Sequence, residues 1–260
     1  MYNTENQIDG EQKVTQANHI KEGTSAIQMN ATYQKGISCL YKNEVTEALA
    51  YFWEAVGFGY SRAIIPTILL EVGSEIPCEQ SSSLKEVMRL IEMGHASGDE
   101  AATLVLAHWN MNWSTKGNGI KYIDLDTFEL RSREREIFPL NVEDAPELQV
   151  MSLNRLDRII ACFSLRISTM GYLSDQVNTE YAVSLLKQLL ETGGRKASTA
   201  EKYLYYLLKD NYELWIDNLN PWLQSESLRG NEYAARLLSR IQYRTQYSNK
   251  IMRLLPWNRG

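Results

Sequence analysis

Proline is scarce in this sequence, which contains 6 in 260 residues. Because proline interrupts the hydrogen-bond ladder of a helix, this scarcity favours helices along the chain. Cysteine is scarce too, and Cys39, Cys78 and Cys162 are widely separated. Cys39 and Cys162 lie in apolar helical surroundings (KGISCLY and IIACFSL), which is typical of reduced, buried thiols. The cysteine pattern therefore favours a cytoplasmic protein.

Long apolar runs are absent. No stretch reaches the roughly 18 apolar residues that can cross a membrane, so we expect no transmembrane segment. The first residues, MYNTENQIDGEQKVTQANH, lack the apolar segment of a secretory signal. The net charge of -5 argues against a general nucleic-acid binder. We therefore expect a cytoplasmic protein that has no transmembrane segment and does not bind nucleic acid as its main function.

Recognisable catalytic and cofactor-binding motifs are absent as well. The chain has no P-loop, no GxSxG elbow and no HExxH helix. The glycine pairs at Gly57–Gly59 and Gly117–Gly119 lack the third glycine and the strand context of a nucleotide site. We therefore predict no catalytic residue and no cofactor, and we expect a protein that is not an enzyme.

The titratable residues do not form a metal-binding pattern. His95 and Asp99 are four residues apart, and His108 lies on the following predicted helix. Zinc needs three or four converging ligands, and no cysteine pair completes the set. Packing or capping is the preferred interpretation of these residues. The carboxylates in 124–129 are interleaved with basic residues, which is typical of a solvated surface. No metal site is predicted.

What the sequence does contain is an internal repeat. The first copy is EALAYFWEAVGFGYSRA, from Glu47 to Ala63, and its spacing recurs three more times. In every copy a glycine is followed four residues later by an alanine, and an apolar pair precedes the glycine by seven and eight residues. The glycine–alanine pairs are Gly59 and Ala63, Gly98 and Ala102, Gly193 and Ala197, and Gly230 and Ala234.

Each copy has the spacing of a helix, a tight turn and the start of a second helix. The apolar positions form one stripe of an amphipathic helix. Glycine just past a helix can adopt the left-handed conformation that ends it. Alanine early in the next helix lets two helices approach closely. Ser81 and either Asn178 or Thr179 are predicted to cap further helices at their N-termini.

The pattern EAxxYFxxAVxxGxxxA resembles the second helix of a Sel-like repeat (SLR), a variant of the tetratricopeptide repeat. Gly36, twelve residues before Ala48, stands where that family places a small residue in its first helix. The later copies are degenerate. The resemblance implies a curved α-solenoid of stacked antiparallel helix pairs, and an adaptor or scaffold without catalysis.

The predicted fold class is therefore all-α, with one insertion. We divide the chain into a flexible N-terminal arm (1–25), SLR-like helix pairs (26–113), an insertion (114–150), further helix pairs (151–246) and a basic tail (247–260). The helices are predicted at 26–42, 45–57, 61–72, 82–96, 99–112, 152–172, 179–192, 197–209, 211–226 and 231–246.

The insertion contains turn glycines, two prolines and alternating apolar residues between 114 and 148. This pattern predicts either a long loop or a small hairpin. Insertions that project from a repeat protein often carry its function, although an ordinary variable loop is an equally good interpretation.

Four aromatic residues are candidates for binding a partner. Trp53 and Tyr60 are not required by the repeat, and Tyr206 and Trp215 belong to a second aromatic cluster near the end of the chain. Aromatic side chains on an exposed groove are good interface anchors. Core packing in the last helix pairs is the alternative, and it is the more conservative one.

Three arginines form a second candidate surface. Arg236, Arg240 and Arg244 recur every four residues, so they share one helix face. From Tyr233 to Gly260 the chain has six basic residues and no acidic one. The face either binds an acidic partner or an anionic membrane surface, or it is the charged outer face of a capping helix.

These observations predict a non-catalytic module that binds a protein through its concave groove, its insertion or both. One alternative is an immunity- or inhibitor-type protein that clamps one cognate toxin or enzyme; another partner class is a secretion component. An enzyme with a site around the insertion is a third class. The sequence alone does not choose the partner.

Overall fold

The computed structural model describes residues 26–73, 84–111, 140, 142–152, 154–163, 178–210 and 212–254. Side chains are described for these residues except at 84, 142, 209–210, 212–217 and 244–254. The predicted arm (1–25), most of the insertion, Cys78 and Ser81 therefore lie outside the described residues.

Helices account for all the regular secondary structure of the described residues, which confirms the all-α prediction. The helices are α1 (Ala26–Tyr41), α2 (Val45–Gly57), α3 (Ile64–Gly73), α4 (Leu84–Ala96), α5 (Glu100–Asn110), α6 (154–163), α7 (Thr179–Thr192), α8 (Ala197–Asp210), α9 (Tyr212–Leu228) and α10 (Glu232–Leu254). Each helix predicted from the periodicity corresponds to one of these within the described ranges.

The repeat has a direct structural counterpart. Gly59, Gly98, Gly193 and Gly230 all have positive φ, at 85°, 79°, 65° and 90°. They are the only glycines among the described residues with such a backbone. The alanine four residues after each of them is fully buried. The prediction that these glycines end their helices in the left-handed conformation is therefore confirmed at all four positions.

The first of two compact units contains α1 to α4, α6 and three short 3-10 helices, Ser61–Ala63, Val142–Asp144 and Pro146–Val150. In it α1 packs on α2 where Gly36 faces Phe52. A β-carbon on Gly36 would lie 2.6 Å from Cε1 of the Phe52 ring. The small residue expected at this position thus permits the close approach of α1 and α2.

The second unit contains α5 and α7 to α10. Within it α5 packs on α7, α7 on α8, and α9 on α10, while α10 also contacts α8. Three N-terminal caps define helix starts, and one of them is Asn231, whose Oδ1 accepts a hydrogen bond from the amide of Ala234 at 3.1 Å. Asp99 Oδ1 accepts a hydrogen bond from the amide of Ala102, and Asn178 Oδ1 accepts one from the amide of Tyr181, at 2.9 and 3.0 Å. The cap expected at Asn178 or Thr179 is therefore Asn178.

Replacing Gly193 by alanine is expected to lower the free energy of unfolding by about 1 kcal/mol. The expected cause is the positive φ alone, because an added β-carbon would have no neighbour within 4 Å. Asparagine tolerates this conformation better, so Gly193→Asn is expected to be milder. Urea unfolding of both variants provides the measurement. Equal destabilisation by alanine and asparagine would contradict the conformational explanation.

Candidate functional site

Trp53 is held within the first unit by a buried carboxylate. Its side chain is half-buried on α2, and its Nε1 donates a hydrogen bond to Glu71 Oε2 on α3, at 3.1 Å. Glu71 is buried among the apolar residues of α3. The indole thus links two helices, and only part of its ring faces solvent. Its role in partner binding stays a prediction.

Tyr60 lies in the turn after Gly59 and belongs to a small aromatic cluster. Its ring centroid is 5.2 Å from that of Tyr33, and its hydroxyl donates to Asn30 Oδ1 at 3.2 Å. Arg62 lies over the Tyr33 ring and pairs with Glu147 at 2.8 Å. Burial, followed by the charge of Glu147, raises the pKa of Tyr33. Half-buried Tyr60 therefore shares its surroundings with charged groups.

The described end of the predicted insertion packs on the first unit. Residues Pro146–Val150 form a 3-10 helix that contacts α1, and Ala145 and Leu148 are buried. Glu147 on this segment is the partner of Arg62. This end of the insertion is therefore part of a packed core. Residues 114–139 and 141 lie outside the described residues.

Tyr206 lies on α8 in the second unit, beside Tyr205. The two rings have centroids 6.1 Å apart, and both side chains are half-buried. The neighbouring Tyr203 is fully buried and packs against the ring of His108, with centroids 5.6 Å apart. The aromatic cluster of α8 therefore has both of the roles that the sequence left open. Tyr203 belongs to the core, whereas Tyr205 and Tyr206 reach the surface.

Arg236 and Arg240 share one acidic residue, Glu201 of α8. Arg236 donates from Nε and Nη2 to Glu201 Oε2, at 3.1 and 2.9 Å. Arg240 Nη1 lies 3.3 Å from Glu201 Oε1. The Glu201 side chain is 4% exposed, whereas Arg236 and Arg240 are 45% and 52% exposed. A buried carboxylate thus anchors two surface arginines across the α8–α10 contact.

Each of these arginines also lies near one tyrosine ring. The Arg236 guanidinium lies 4.6 Å from the centroid of Tyr233, and that of Arg240 lies 5.8 Å from Tyr205. Arg236 Nη1 also pairs with Glu232 at 3.3 Å. We call Tyr205, Tyr206, Tyr233, Arg236 and Arg240 the Arg–Tyr face. It joins two groups of residues that the sequence suggested separately.

Two of the predicted residues lie in described helices, but their side chains do not belong to the described set. Trp215 is in α9 and Arg244 is in α10. Their backbone positions agree with the predicted helices. Their roles as partner-binding residues stay predictions.

Sequence reasoning missed the carboxylates that organise these surfaces, which are Glu71, Glu147 and Glu201. One signal could have found Glu201. It stands in the apolar stripe of α8, one helical turn from Ala197 and from Leu204. A glutamate in such a stripe requires a partner, because a buried charge without one is strongly destabilising.

Three further titratable residues have surroundings set by capping or burial, namely Asp99, His108 and Cys39. Asp99 caps α5, and His108 is buried, where loss of solvation lowers its pKa to about 4. Burial, followed by the charge of Glu44, raises the pKa of the Cys39 thiol. Within the described residues no group of three or more His, Cys, Asp or Glu side chains could hold a metal ion.

Replacing Arg236 by glutamine is expected to lower the free energy of unfolding by about 1–2 kcal/mol. The buried Glu201 carboxylate loses its two closest charged donors. The effect stays below the roughly 3–5 kcal/mol of a fully buried pair, because solvent reaches the guanidinium. Chemical denaturation provides the measurement.

A matched control for this change is Arg89→Gln. Arg89 is 52% exposed and pairs with Glu86 on its own helix, and that carboxylate is 34% exposed. We expect a change of at most about 0.5 kcal/mol. If Arg89→Gln destabilised the chain as much as Arg236→Gln, the anchoring role of Glu201 would be wrong.

No helix in the described part of the chain is both long and apolar enough to cross a membrane. Comparison of the chain with protein-family models, with curated proteins and with solved structures found no match.

Proposed function

We propose that this chain is a non-catalytic protein-binding module, an adaptor or scaffold built from SLR-like or tetratricopeptide-like helix pairs. In this proposal the helix pairs stack as an α-solenoid, and a protein partner binds along its groove. The proposal places the protein in the cytoplasm. It needs no cofactor and assigns no catalytic residue.

One observation carries the proposal. Four glycines at equivalent repeat positions have a left-handed backbone, and the alanine four residues after each of them is buried. A unit repeated in this way buries its apolar stripe against neighbouring helices. Stacked units of this kind create extended surfaces suited to binding other proteins.

The residue types at the surface support the same proposal. Half-buried Trp53, Tyr60 and Tyr206 are anchored by their own units yet remain partly open to solvent. Tryptophan, tyrosine and arginine are the types enriched among the residues that dominate binding energy. Anchored side chains lose less conformational entropy when a partner binds.

An inhibitor- or immunity-type protein is the second candidate, and charge is the observation that favours it. The segment from Tyr233 to Gly260 contributes six positive charges to a net charge of -5, so the remainder of the chain carries -11. Such an acidic surface would attract a basic toxin or enzyme. In that case a single partner binds tightly.

Affinity purification of the tagged full chain from its own cells, followed by chemical cross-linking, tests the proposal. We expect a protein partner whose yield falls with Tyr206→Ala or Trp53→Phe. Tyr41→Ala is the control, because Tyr41 is an exposed tyrosine of α1 outside the predicted sites. One stoichiometric partner favours the inhibitor, and several weaker partners favour the scaffold. Absence of any cross-linked partner above an untagged control would refute both.

A further inference from the structure

The Arg–Tyr face joins two helices of the second unit that occupy the same place in the repeat. Both α8 and α10 begin just after a left-handed glycine, Gly193 and Gly230, and they contact each other. Their shared surface combines aromatic rings with guanidinium groups. This is the composition found at the centres of protein interfaces.

The arginines of this face are ordered before any partner arrives. Glu201 accepts two hydrogen bonds from Arg236 and pairs with Arg240. The rings of Tyr233 and Tyr205 lie 4.6 and 5.8 Å from the two guanidinium groups. These contacts restrict the rotamers of both long side chains on folding, so binding a partner costs less of their entropy.

The charge around the face determines which partner it fits. Within the face, Glu201 and Glu232 balance the charges of Arg236 and Arg240. The excess is positive, because the segment from Tyr233 to Gly260, which contains both arginines, has six basic residues and no acidic one. Arg240 is 52% exposed and, as an arginine, has five N–H donors. It can therefore present donors to an anionic group outside the protein. Half-buried Tyr205, whose ring lies 5.8 Å from the Arg240 guanidinium, and its neighbour Tyr206 offer apolar contact area.

The charge of the remaining chain limits the size of that partner. Residues before Tyr233 carry a net charge of -11, which repels an extended polyanion such as nucleic acid or an anionic membrane. A short acidic protein segment needs contact only with the Arg–Tyr face, so it meets less of that negative charge than an extended polyanion does. Charge complementarity thus favours a peptide over a membrane or a nucleic acid.

We propose that the Arg–Tyr face of α8 and α10 binds an acidic segment of a partner protein, with Arg240 contacting its carboxylates and Glu201 positioning the arginines. This inference rests on the proposed function. It adds the surface and the chemistry of the partner.

A random dodecapeptide library selected on the immobilised full chain tests this inference. We expect enrichment of peptides rich in Asp and Glu that also contain apolar residues. Fluorescence anisotropy with a labelled selected peptide should then show affinity that falls as salt rises. Arg240→Gln should weaken binding about tenfold, which is the loss of one charged contact. Arg240→Lys should retain part of the binding, since it keeps the charge.

The control is Arg89→Gln, which removes the same charge from an equally exposed arginine of the first unit and should leave affinity within about twofold. Circular dichroism verifies that each variant is folded. If Arg89→Gln weakened peptide binding as much as Arg240→Gln, the effect would come from the net charge of the protein and not from the Arg–Tyr face. That result would overturn the inference. Binding of phosphatidylserine vesicles or single-stranded oligonucleotides, without binding of acidic peptides, would also overturn it.

The peptide selection also shows whether only this inference is wrong or the proposed function is wrong as well. Peptides without acidic enrichment, or peptides sensitive to Trp53→Phe but not to Arg240→Gln, would overturn the Arg–Tyr face and leave a protein-binding module. If the library yields no peptide and cross-linking yields no partner protein, both proposals are wrong.

Discussion

Replacing Gly73 by alanine is expected to lower the free energy of unfolding by about 3 kcal/mol. Gly73 is the last residue of α3 and is buried. An added β-carbon would clash with the backbone carbonyl oxygen of Ile159, and it would lie 2.8 Å from Cγ2 of the same residue. Ile159 belongs to α6, and a carbonyl within a helix cannot rotate away. Relief of the clash therefore requires that α3 and α6 move apart.

Two further glycines make this prediction specific. At Gly36 the added β-carbon would meet the ring of Phe52, a side chain that can shift, so we expect a loss of about 1–2 kcal/mol. At Gly57 nothing lies within 4 Å, so alanine should stabilise the chain by about 0.5–1 kcal/mol. Urea unfolding of the three alanine variants measures the order of their free energies of unfolding, which we expect to be lowest for Gly73→Ala and highest for Gly57→Ala. A neutral Gly73→Ala variant would mean that α3 and α6 do not pack as described.

Acidification from pH 7.5 to pH 5 is expected to remove about 2 kcal/mol of stability through His108 alone. Burial lowers the pKa of this histidine to about 4 in the folded chain, against 6.5 for an unperturbed side chain. Between these values the unfolded chain binds a proton that the folded chain does not. The stability that neutral, buried His108 contributes is therefore present above about pH 6.5, and it is lost as the pH falls towards 4.

Urea unfolding at both pH values, with wild type and His108→Gln, isolates this contribution. The variant is expected to be less stable at pH 7.5, because Tyr203 loses a packed ring. Its further loss at pH 5 should be smaller than that of wild type by about 2 kcal/mol. If His108→Gln keeps the pH dependence of wild type, His108 is not the buried neutral residue described above.

The local structure of this protein could be predicted from periodicity and turn chemistry. The spacing of Gly193 and Ala197, for example, predicted a left-handed turn and a small residue at a helix contact. Gly193 has a positive φ, and Ala197 is fully buried. Such features depend on residues only a few positions apart. A helix stripe and the glycine that ends it are therefore visible in one short window of sequence.

The candidate sites could be predicted only in part. Tyr206, Arg236 and Arg240 were recognised as surface candidates, but the carboxylate that organises the two arginines was not. Glu201 and Arg236 are 35 residues apart, and their contact follows from the packing of α8 on α10. The same is true of Trp53 and Glu71, which lie on two successive helices. Sequence alone does not reveal which side chains meet across two helices.

The sequence by itself determined that the chain is helical, where its helices end and which small residues lie at their contacts. It did so because backbone conformation and amphipathic periodicity are local properties. Only the tertiary structure decided that Tyr203 is core while Tyr206 reaches the surface, and that the arginine stripe is anchored by a buried glutamate. Burial and ion pairing depend on neighbours that are distant in the chain, so packing has to place them first.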